Sequence, residues 1–187
     1  MRRFSSSGSA GFTLLELLVV MVIIGILATL VSLKIGNRAL DDHLEGESVR
    51  IEQLYKLAQE ESQVKGIPIG MRFTASGYQF VTMNDQGNWV DYGQVANVLR
   101  QRRLAQPFYT ELYVDGRMVP PAPDVQPTTT IISSDPNSKP QLQPQILLLP
   151  GGEDTPFAVE VKAPNYRSYF HVEADALGRV LSERRYQ

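Results

Sequence analysis

The residues whose types and spacing could do chemistry lie near the end of the chain, where His171, Glu173 and Asp175 alternate with apolar residues. Alternate residues of an extended strand share one face, so these three side chains could ligate a metal ion. The same spacing is typical of a solvent-facing strand surface, which is the interpretation we favour. The chain has only two histidines and no cysteine, which leaves little material for a zinc site or a cysteine nucleophile. We therefore predict no metal site and no cofactor.

Other signs of catalysis or of nucleic-acid binding are also missing from the sequence. It contains no Gly-x-Ser-x-Gly, P-loop or dinucleotide-binding motif. Its 18 basic and 20 acidic residues give a net charge of −2, which does not favour a general affinity for phosphate backbones. We predict that the chain is not an enzyme and does not bind nucleic acid.

An apolar run near the N-terminus indicates contact with a membrane. Residues 17–33 carry no charged side chain, and their number is close to that needed to cross the hydrocarbon core. The small residues, Ser5 to Gly11, precede the run, and no small-residue cleavage site follows it, so it is not a cleaved secretory signal. We predict a membrane-spanning helix at residues 12–33.

Glu16 places a carboxylate at the start of this run. Thr13 and Glu16 have the spacing of a capping box, and an acid in the first helical turn is worth about 0.3–1 kcal/mol through the helix dipole. An ionised carboxylate at the centre of a membrane helix costs about 2.5–3.5 kcal/mol, although Glu16 lies nearer the end. Capping alone is too weak an explanation of this carboxylate.

The stretch Gly11-Phe12-Thr13-Leu14-Leu15-Glu16, behind a short basic leader, closely resembles the cleavage and methylation signal of type IV pilins and pseudopilins. The resemblance implies that a prepilin peptidase removes residues 1–11 by cutting after Gly11 and then methylates Phe12. It implies a single-pass protein of the inner membrane, with its N-terminus in the cytoplasm and its C-terminal domain in the periplasm. It also implies that Glu16 pairs with the N-terminal ammonium of a neighbouring subunit in a filament, so that each ion offsets the other's cost of leaving water.

The helical pattern continues beyond the apolar run. Apolar residues recur at spacings of three, four and seven, and Gly66 and Pro68 end the pattern. We predict one helix from Phe12 to Lys65, with an amphipathic half at residues 34–66. The residues of its buried stripe are Leu40, Leu44, Ile51, Leu54, Tyr55 and Ala58.

Residues 67–187 are predicted to form a β-rich globular domain. Ser76-Gly77 is a turn signal between two strand-like runs, which predicts a hairpin. The predicted strands are 69–73, 78–81, 145–149, 157–162, 166–173 and 178–183. We predict an α+β fold in which the long N-terminal helix packs on a small antiparallel β-sheet or β-sandwich.

Several short pieces of sequence resemble the H-type minor pseudopilins of type II secretion systems, in the helix and the C-terminal third. The resemblance implies a pilin-like fold and a structural subunit of the pseudopilus, which helps to drive export of folded proteins across the outer membrane. The implied partners are major and minor pseudopilins, the prepilin peptidase and the inner-membrane secretion platform. The pieces are Leu57-Ala58-Gln59-Glu60-Glu61 with Gly66, Gly70-Met71-Arg72-Phe73, Tyr78-Gln79-Phe80, Ile146 to Gly151, Thr155-Pro156-Phe157 and Gly178-Arg179-Val180.

The middle of the chain carries less of this resemblance. Seven of the twelve prolines fall between Pro120 and Pro144, which predicts a long exposed insertion, either idle or partner-binding. Before it, Gly93 to Ala105 is predicted to form a short helix. Its three arginines, Arg100, Arg102 and Arg103, are a solvated face or a contact for acidic neighbours.

Two other functions remain open. A minor pilin of a type IV pilus would share the N-terminal signal, and a membrane-anchored periplasmic binding protein would share the apolar run. A plain anchor needs neither a cut before the run nor an acid inside it, so Gly11, Phe12 and Glu16 favour a filament subunit. The C-terminal pieces favour secretion over a pilus.

Overall fold

The computed structural model describes residues 12–124 and 142–187, without the side chains of residues 30–37. The chain divides into two compact units, one ending at Leu40 and one running from Asp41 to Gln187. A single helix, α1 (Leu14–Lys65), contributes residues to both units. Residues 1–11, and with them the leader and Gly11, lie outside the described residues, as does most of the insertion.

Within the described part of the chain, no helix is both long enough and apolar enough to cross a membrane.

The end of α1 is set by a glycine. Gly66 has a left-handed φ of +66°, and the N–H of Ile67 donates to the carbonyl of Ser62 at 3.2 Å. This is the hydrogen bond of a Schellman motif, which closes a helix where the chain turns away. The predicted C-terminal end is confirmed, and the N-terminal end lies two residues later than predicted.

The predicted apolar stripe of the second half of α1 is buried. Leu40 is half-buried, and the other five members of the stripe lie in the core. Burial of such side chains is worth about 1.5–3 kcal/mol each, so packing rather than intrinsic propensity holds this part of the helix. The buried members are Leu44, Ile51, Leu54, Tyr55 and Ala58.

The globular unit contains two antiparallel sheets. The first sheet has the order β3-β2-β1-β7, and β4 also pairs with β2. Its strands are β1 (Ile69–Thr74), β2 (Gly77–Met83), β3 (Trp89–Asp91), β4 (Arg102–Arg103) and β7 (Ile146–Leu148).

The second sheet has the order β10-β9-β8-β5-β6. Its inner face buries alternate residues, as Phe157, Val159 and Val161 show on the central strand. Its strands are β5 (Tyr109–Val114), β6 (Arg117–Val119), β8 (Phe157–Lys162), β9 (Ser168–Ala174) and β10 (Val180–Tyr186).

Both sheets contact the second half of α1. The Ser62 hydroxyl donates to the carbonyl of Leu148 in the first sheet at 3.1 Å. The Tyr55 ring lies 5.2 Å, between centroids, from that of Phe157 in the second sheet. The predicted α+β fold, with a long helix packed on antiparallel sheets, is confirmed, and of the two alternatives the structure has two sheets rather than one.

The region between residues 89 and 119 differs from its prediction. The helix predicted for Gly93 to Ala105 is wrong, because the chain forms two 3-10 turns, Tyr92–Gln94 and Asn97–Leu99, followed by β4. Strands β3, β5 and β6 were not predicted. The turn of the first hairpin lies at Ala75 and Ser76, since Gly77 already pairs with Thr74.

A buried carboxylate joins α1 to loops of both sheets. Asp154, only 6% exposed, accepts hydrogen bonds through Oδ2 from the Tyr55 hydroxyl at 2.9 Å and from the Gln59 amide at 2.8 Å. Its Oδ1 accepts from the N–H of Leu149 at 3.3 Å. Burial, followed by the nearby Asp154 carboxylate, raises the pKa of the Tyr55 hydroxyl far above its ordinary value. The phenol therefore remains a donor at neutral pH.

The turn after β9 must approach this site closely. Gly178 has a φ of +72°, and a Cβ placed on it would lie 1.6 Å from Nε2 of Gln59. The main chain at Asp154 is also tied to this turn, since its N–H donates to the carbonyl of Ala176 at 3.1 Å. A glycine is therefore required by both backbone conformation and space.

We predict that Tyr55→Phe lowers the free energy of unfolding of a soluble fragment of residues 37–187 by about 1–3 kcal/mol, because Asp154 loses a buried donor. The measurement is urea unfolding followed by circular dichroism. The unfolded phenol ionises near pH 10, whereas the raised pKa keeps it protonated in the fold. The contribution of the Tyr55 hydroxyl to the free energy of unfolding is therefore fully present below about pH 10 and is lost progressively as the pH rises above that value. The difference in free energy of unfolding between wild type and Tyr55→Phe should narrow over the same range.

The matched control is Tyr109→Phe, since the Tyr109 side chain is 37% exposed. We expect it to leave the free energy of unfolding at pH 7 nearly unchanged. Equal effects of the two substitutions would contradict the role given to the Tyr55 hydroxyl.

Candidate functional site

The start of α1 is a capped helix end. The N–H of Glu16 donates to the hydroxyl oxygen of Thr13 at 3.3 Å and to its carbonyl at 3.1 Å. A Thr hydroxyl in this position satisfies one of the main-chain donors that a helix leaves free at its first turn. The hydroxyl contact of the predicted capping box is confirmed. Gly11, the residue before the predicted cut, lies outside the described residues.

The Glu16 side chain is exposed and open to a partner beyond the described residues. Among residues 12–124 and 142–187, no hydrogen bond or ion pair engages its carboxylate. The surrounding surface is apolar and uncovered, since every side chain from Phe12 to Thr29 is exposed. Phe12 is 71% exposed and Leu14 is 84% exposed. One carboxylate therefore stands on an apolar surface that nothing in the described chain covers.

The two ends of the insertion are held by a buried arginine. Arg72, 2% exposed, donates from Nε to the carbonyl of Gln143 at 3.0 Å and from Nη2 to that of Pro123 at 3.3 Å. Burial lowers the pKa of this guanidinium, and the Asp124 carboxylate works in the opposite direction. A guanidinium stays charged in proteins, so its hydrogen bonds to the two carbonyls offset its loss of water.

The Gln145 side chain forms a second set of hydrogen bonds that holds the ends of the insertion. Its Oε1 accepts from the N–H of Phe73 at 2.7 Å, and its Nε2 donates to the carbonyl of Pro120 at 2.8 Å. The N–H of Ala122 donates to the carbonyl of Phe73 at 2.8 Å. Gly70 allows this packing, because a Cβ there would lie 2.3 Å from Cβ of Pro144. Both ends of the insertion are thus fixed parts of the fold.

Two of the three residues considered as metal ligands, His171 and Glu173, lie beside a network of ion pairs on the second sheet. Glu111, Glu160 and His171 form one row across β5, β8 and β9. Nζ of Lys162 lies 2.6 Å from a carboxylate oxygen of Glu111 and 2.6 Å from one of Glu160. Burial of the Lys162 ammonium opposes its charge, but the hydrogen bonds to the two glutamates prevail and raise its pKa.

His171 lies within this network rather than at the surface. It is 8% exposed, with Nδ1 3.5 Å from Glu160 and Nε2 3.4 Å from Glu173. The prediction of a solvent-facing position is therefore wrong for His171. Asp175 lies in the turn after β9, where it accepts from the N–H groups of Leu177 and Arg179. In the described part of the chain, no group of three His, Cys, Asp or Glu residues is arranged to hold a metal ion.

Sequence reasoning did not identify Arg72, Gln145 and Lys162 as structural residues. The partners of Arg72 and Gln145 come from segments that are distant in sequence, so no local spacing signals them. Lys162 pairs with the distant Glu111 and also with Glu160, two residues away. An arginine within the strand Ile69–Thr74, where every residue is buried, was the available signal.

Comparisons with known proteins point to one family. The prokaryotic N-terminal methylation motif matches residues 6–32. The chain is 28% identical to the type II secretion system protein H of Aeromonas hydrophila, over 96% of this chain and 94% of that protein. It is also 28% identical to the type II secretion system protein H of Pseudomonas aeruginosa, over 82% of this chain and 83% of that protein.

Solved structures share the fold. The crystal structure of the minor pseudopilin EpsH from the type II secretion system of Vibrio cholerae matches with a TM-score of 0.58 at 17% identity, over 76% of this chain and 94% of that chain. The solution structure of Escherichia coli GspH matches with a TM-score of 0.51 at 16% identity, over 79% and 90%. The methylation motif, the similarity along nearly the whole chain and the shared fold agree, and the chain is similar to the H proteins of type II secretion systems.

Proposed function

We propose that this chain is an H-type minor pseudopilin of a type II secretion system. A prepilin peptidase cuts it after Gly11 and methylates Phe12, and the mature chain is built into a pseudopilus that helps to drive export of folded proteins across the outer membrane. The observation that carries the proposal is the Gly11-Phe12 junction, within a methylation motif, on a chain similar to H proteins over almost its whole length. The family role is structural, so the globular unit supplies binding surfaces rather than catalytic groups.

The exposed apolar surface supports a membrane stage before assembly. Side chains from Phe12 to Thr29 are uncovered in the described chain, and water is a poor solvent for such a surface. In the proposal, residues 12–33 lie in the inner membrane with the N-terminus in the cytoplasm and residues 67–187 in the periplasm. In the fibre, the same surface is covered by the helices of neighbouring subunits.

Glu16 selects the position of the helix in the fibre. Its carboxylate has no partner in the described chain, and a cut after Gly11 would leave an ammonium group on Phe12 of each subunit. An α-ammonium titrates near pH 8 and is mostly charged at neutral pH. Pairing between a carboxylate and the ammonium of the next subunit offsets the desolvation of both, so one axial arrangement is favoured over others.

We expect the membrane form of the protein to begin with a methylated Phe12, as measured by mass spectrometry of the N-terminal peptide. Gly11→Leu should block the cut, because a protease needs close access to the backbone at this junction. Gly8→Leu is the matched control within the leader, and it should leave processing intact. Recovery of an intact Met1 from wild-type cells, or of a cut beyond Val31, would refute the proposed maturation.

We predict that Glu16→Ala reaches the membrane at least as well as wild type, because a burial cost is removed, but enters fibres poorly. The measurements are the amount of protein in the membrane fraction, its co-purification with sheared pseudopili and the secretion of a type II substrate. Incorporation should fall by about tenfold or more, which corresponds to about 1.4 kcal/mol.

Thr13→Ala separates this role from helix capping. It removes the hydroxyl that accepts from the N–H of Glu16 but keeps the carboxylate. The loss of a cap costs about 1 kcal/mol of helix stability, and we expect incorporation to change little. If Thr13→Ala and Glu16→Ala impair incorporation equally, capping rather than subunit pairing explains Glu16.

A further inference from the structure

The segment between β3 and β5 is a firmly anchored loop, which we call the arginine loop (residues 92–104). Three of its side chains, Tyr92, Leu99 and Leu104, are 1%, 0% and 8% exposed. The Tyr92 hydroxyl donates to Oε2 of Glu61 at 2.8 Å and accepts from Nζ of Lys65 at 3.0 Å. The loop is therefore fixed to the last turns of α1.

Close backbone contacts fix its shape as well. A Cβ on Gly93 would lie 2.6 Å from Cα of Arg100, so the two 3-10 turns approach as closely as a glycine permits. Arg102 and Arg103 pair with β2, and a Cβ on Gly77 would lie 1.9 Å from the carbonyl oxygen of Arg102. The loop is thus ordered before any partner binds, which lowers the entropy cost of binding.

The loop presents both apolar and cationic side chains to solvent. Val95 is 70% exposed and Val98 is 56% exposed, while Arg100 and Arg103 are also exposed. Exposed valines on a rigid loop gain free energy when another apolar surface covers them. Arginine is the charged residue most enriched in protein interfaces, where apolar groups stand at the centre and polar groups at the rim.

The charges of the loop have no acidic counterpart in the described residues. Arg100 donates to the carbonyl and side-chain oxygens of Asn97 at 3.4 and 3.3 Å, and Arg102 donates to the carbonyl of Val98 at 3.1 Å. No carboxylate of residues 12–124 and 142–187 forms an ion pair with Arg100, Arg102 or Arg103. On a chain with a net charge of −2, this is a local excess of positive charge that no carboxylate of the described residues neutralises.

We propose that the arginine loop docks onto the globular part of another pseudopilin, at an apolar patch flanked by carboxylates. The valines cover the apolar patch, and Arg100 and Arg103 pair with the carboxylates. This inference rests on the proposed function, which supplies the class of partner, and it adds the surface and the chemistry of the contact.

A protein surface fits the loop better than a phosphate surface does. Affinity for a phosphate surface comes mainly from the number of cations that neutralise it, and the exposed cations of this loop are two, Arg100 and Arg103. Here two of the most exposed side chains are valines, which phosphate groups would leave uncovered. A guanidinium pairs with a carboxylate through two parallel hydrogen bonds, which gives the contact a defined geometry.

The test uses the full-length protein in cells with a working secretion system. A photo-crosslinking amino acid replaces Val98, and, in a separate control, the 75% exposed Leu181 of β10. We expect the Val98 position to crosslink to a pseudopilin, identified by mass spectrometry, through a peptide that contains aspartate or glutamate. Arg100→Glu with Arg103→Glu should lower this yield by about tenfold or more, since like charges would then face each other.

The matched control reverses two exposed arginines elsewhere, Arg117→Glu with Arg167→Glu, and should leave the crosslink unchanged. Replacing the aspartates or glutamates of the crosslinked partner peptide by lysine should restore the Val98 crosslink yield of the loop variant, which carries Arg100→Glu and Arg103→Glu. Protease resistance of the detergent-extracted variants checks that each is folded. A folded loop variant that retains the crosslink overturns the inference, as does a crosslink from Val98 to lipid alone or to no pseudopilin.

Failure of this inference is distinguishable from failure of the proposed function. If the loop variant crosslinks as wild type does while Glu16→Ala still leaves fibres and secretion impaired, the subunit role stands and the docking surface lies elsewhere. If the wild-type chain is processed and present but never co-purifies with pseudopili, the proposed function itself is wrong.

Discussion

One buried carboxylate, that of Asp154, is the interaction on which the packing of the globular unit depends. Its oxygens are satisfied by the helix through Tyr55 and Gln59 and by the main chain after β7 through Leu149. A buried carboxylate that lacks its donors costs several kcal/mol, so the fold is stable only when helix and loop are in place together. Gly178 is the residue that gives this arrangement room.

The two units of the chain differ in whether their apolar side chains are buried within the unit. From Asp41 onward, apolar side chains are buried by the chain's own helix and sheets. From Phe12 to Thr29, apolar side chains are exposed and need other molecules to cover them. The first arrangement gives a self-sufficient domain, and the second gives a segment whose stable environment is lipid or an assembly.

The features that could be predicted from sequence are those encoded by local repetition. The helix stripe, the alternation in Phe157–Lys162 and the Gly66 helix end all depend on neighbours within a few residues. Strands β5 and β6 were not predicted, but the sequence carries a signal for them. Asp115-Gly116 between the two strands is a strong hairpin signal, and its φ angles of 50° and 74° are those of such a turn. The motif at Gly11, Phe12 and Glu16 was recognisable because its spacing is contiguous.

The features that could not be predicted depend on contacts between distant segments. The arginine loop resembles a helix in composition, but the contact of Gly93 with Arg100 and the pairing with β2 favour 3-10 turns and a short strand. His171 is buried because the register of β8 places Glu160 beside it, and strand register cannot be read from one strand alone. The partners of Arg72 lie 51 and 71 residues away.

Because Arg72 and Gln145 hold both ends of the insertion, the stability of the fold depends little on the length of the insertion. Both described ends are held by the same two side chains, so these ends lie side by side. The entropy cost of such a closure grows only with the logarithm of loop length, by about 0.6 kcal/mol for each doubling. A change in the number of residues between 125 and 141 therefore adds little closure cost, which makes this stretch a natural position for an epitope tag or a grafted recognition peptide.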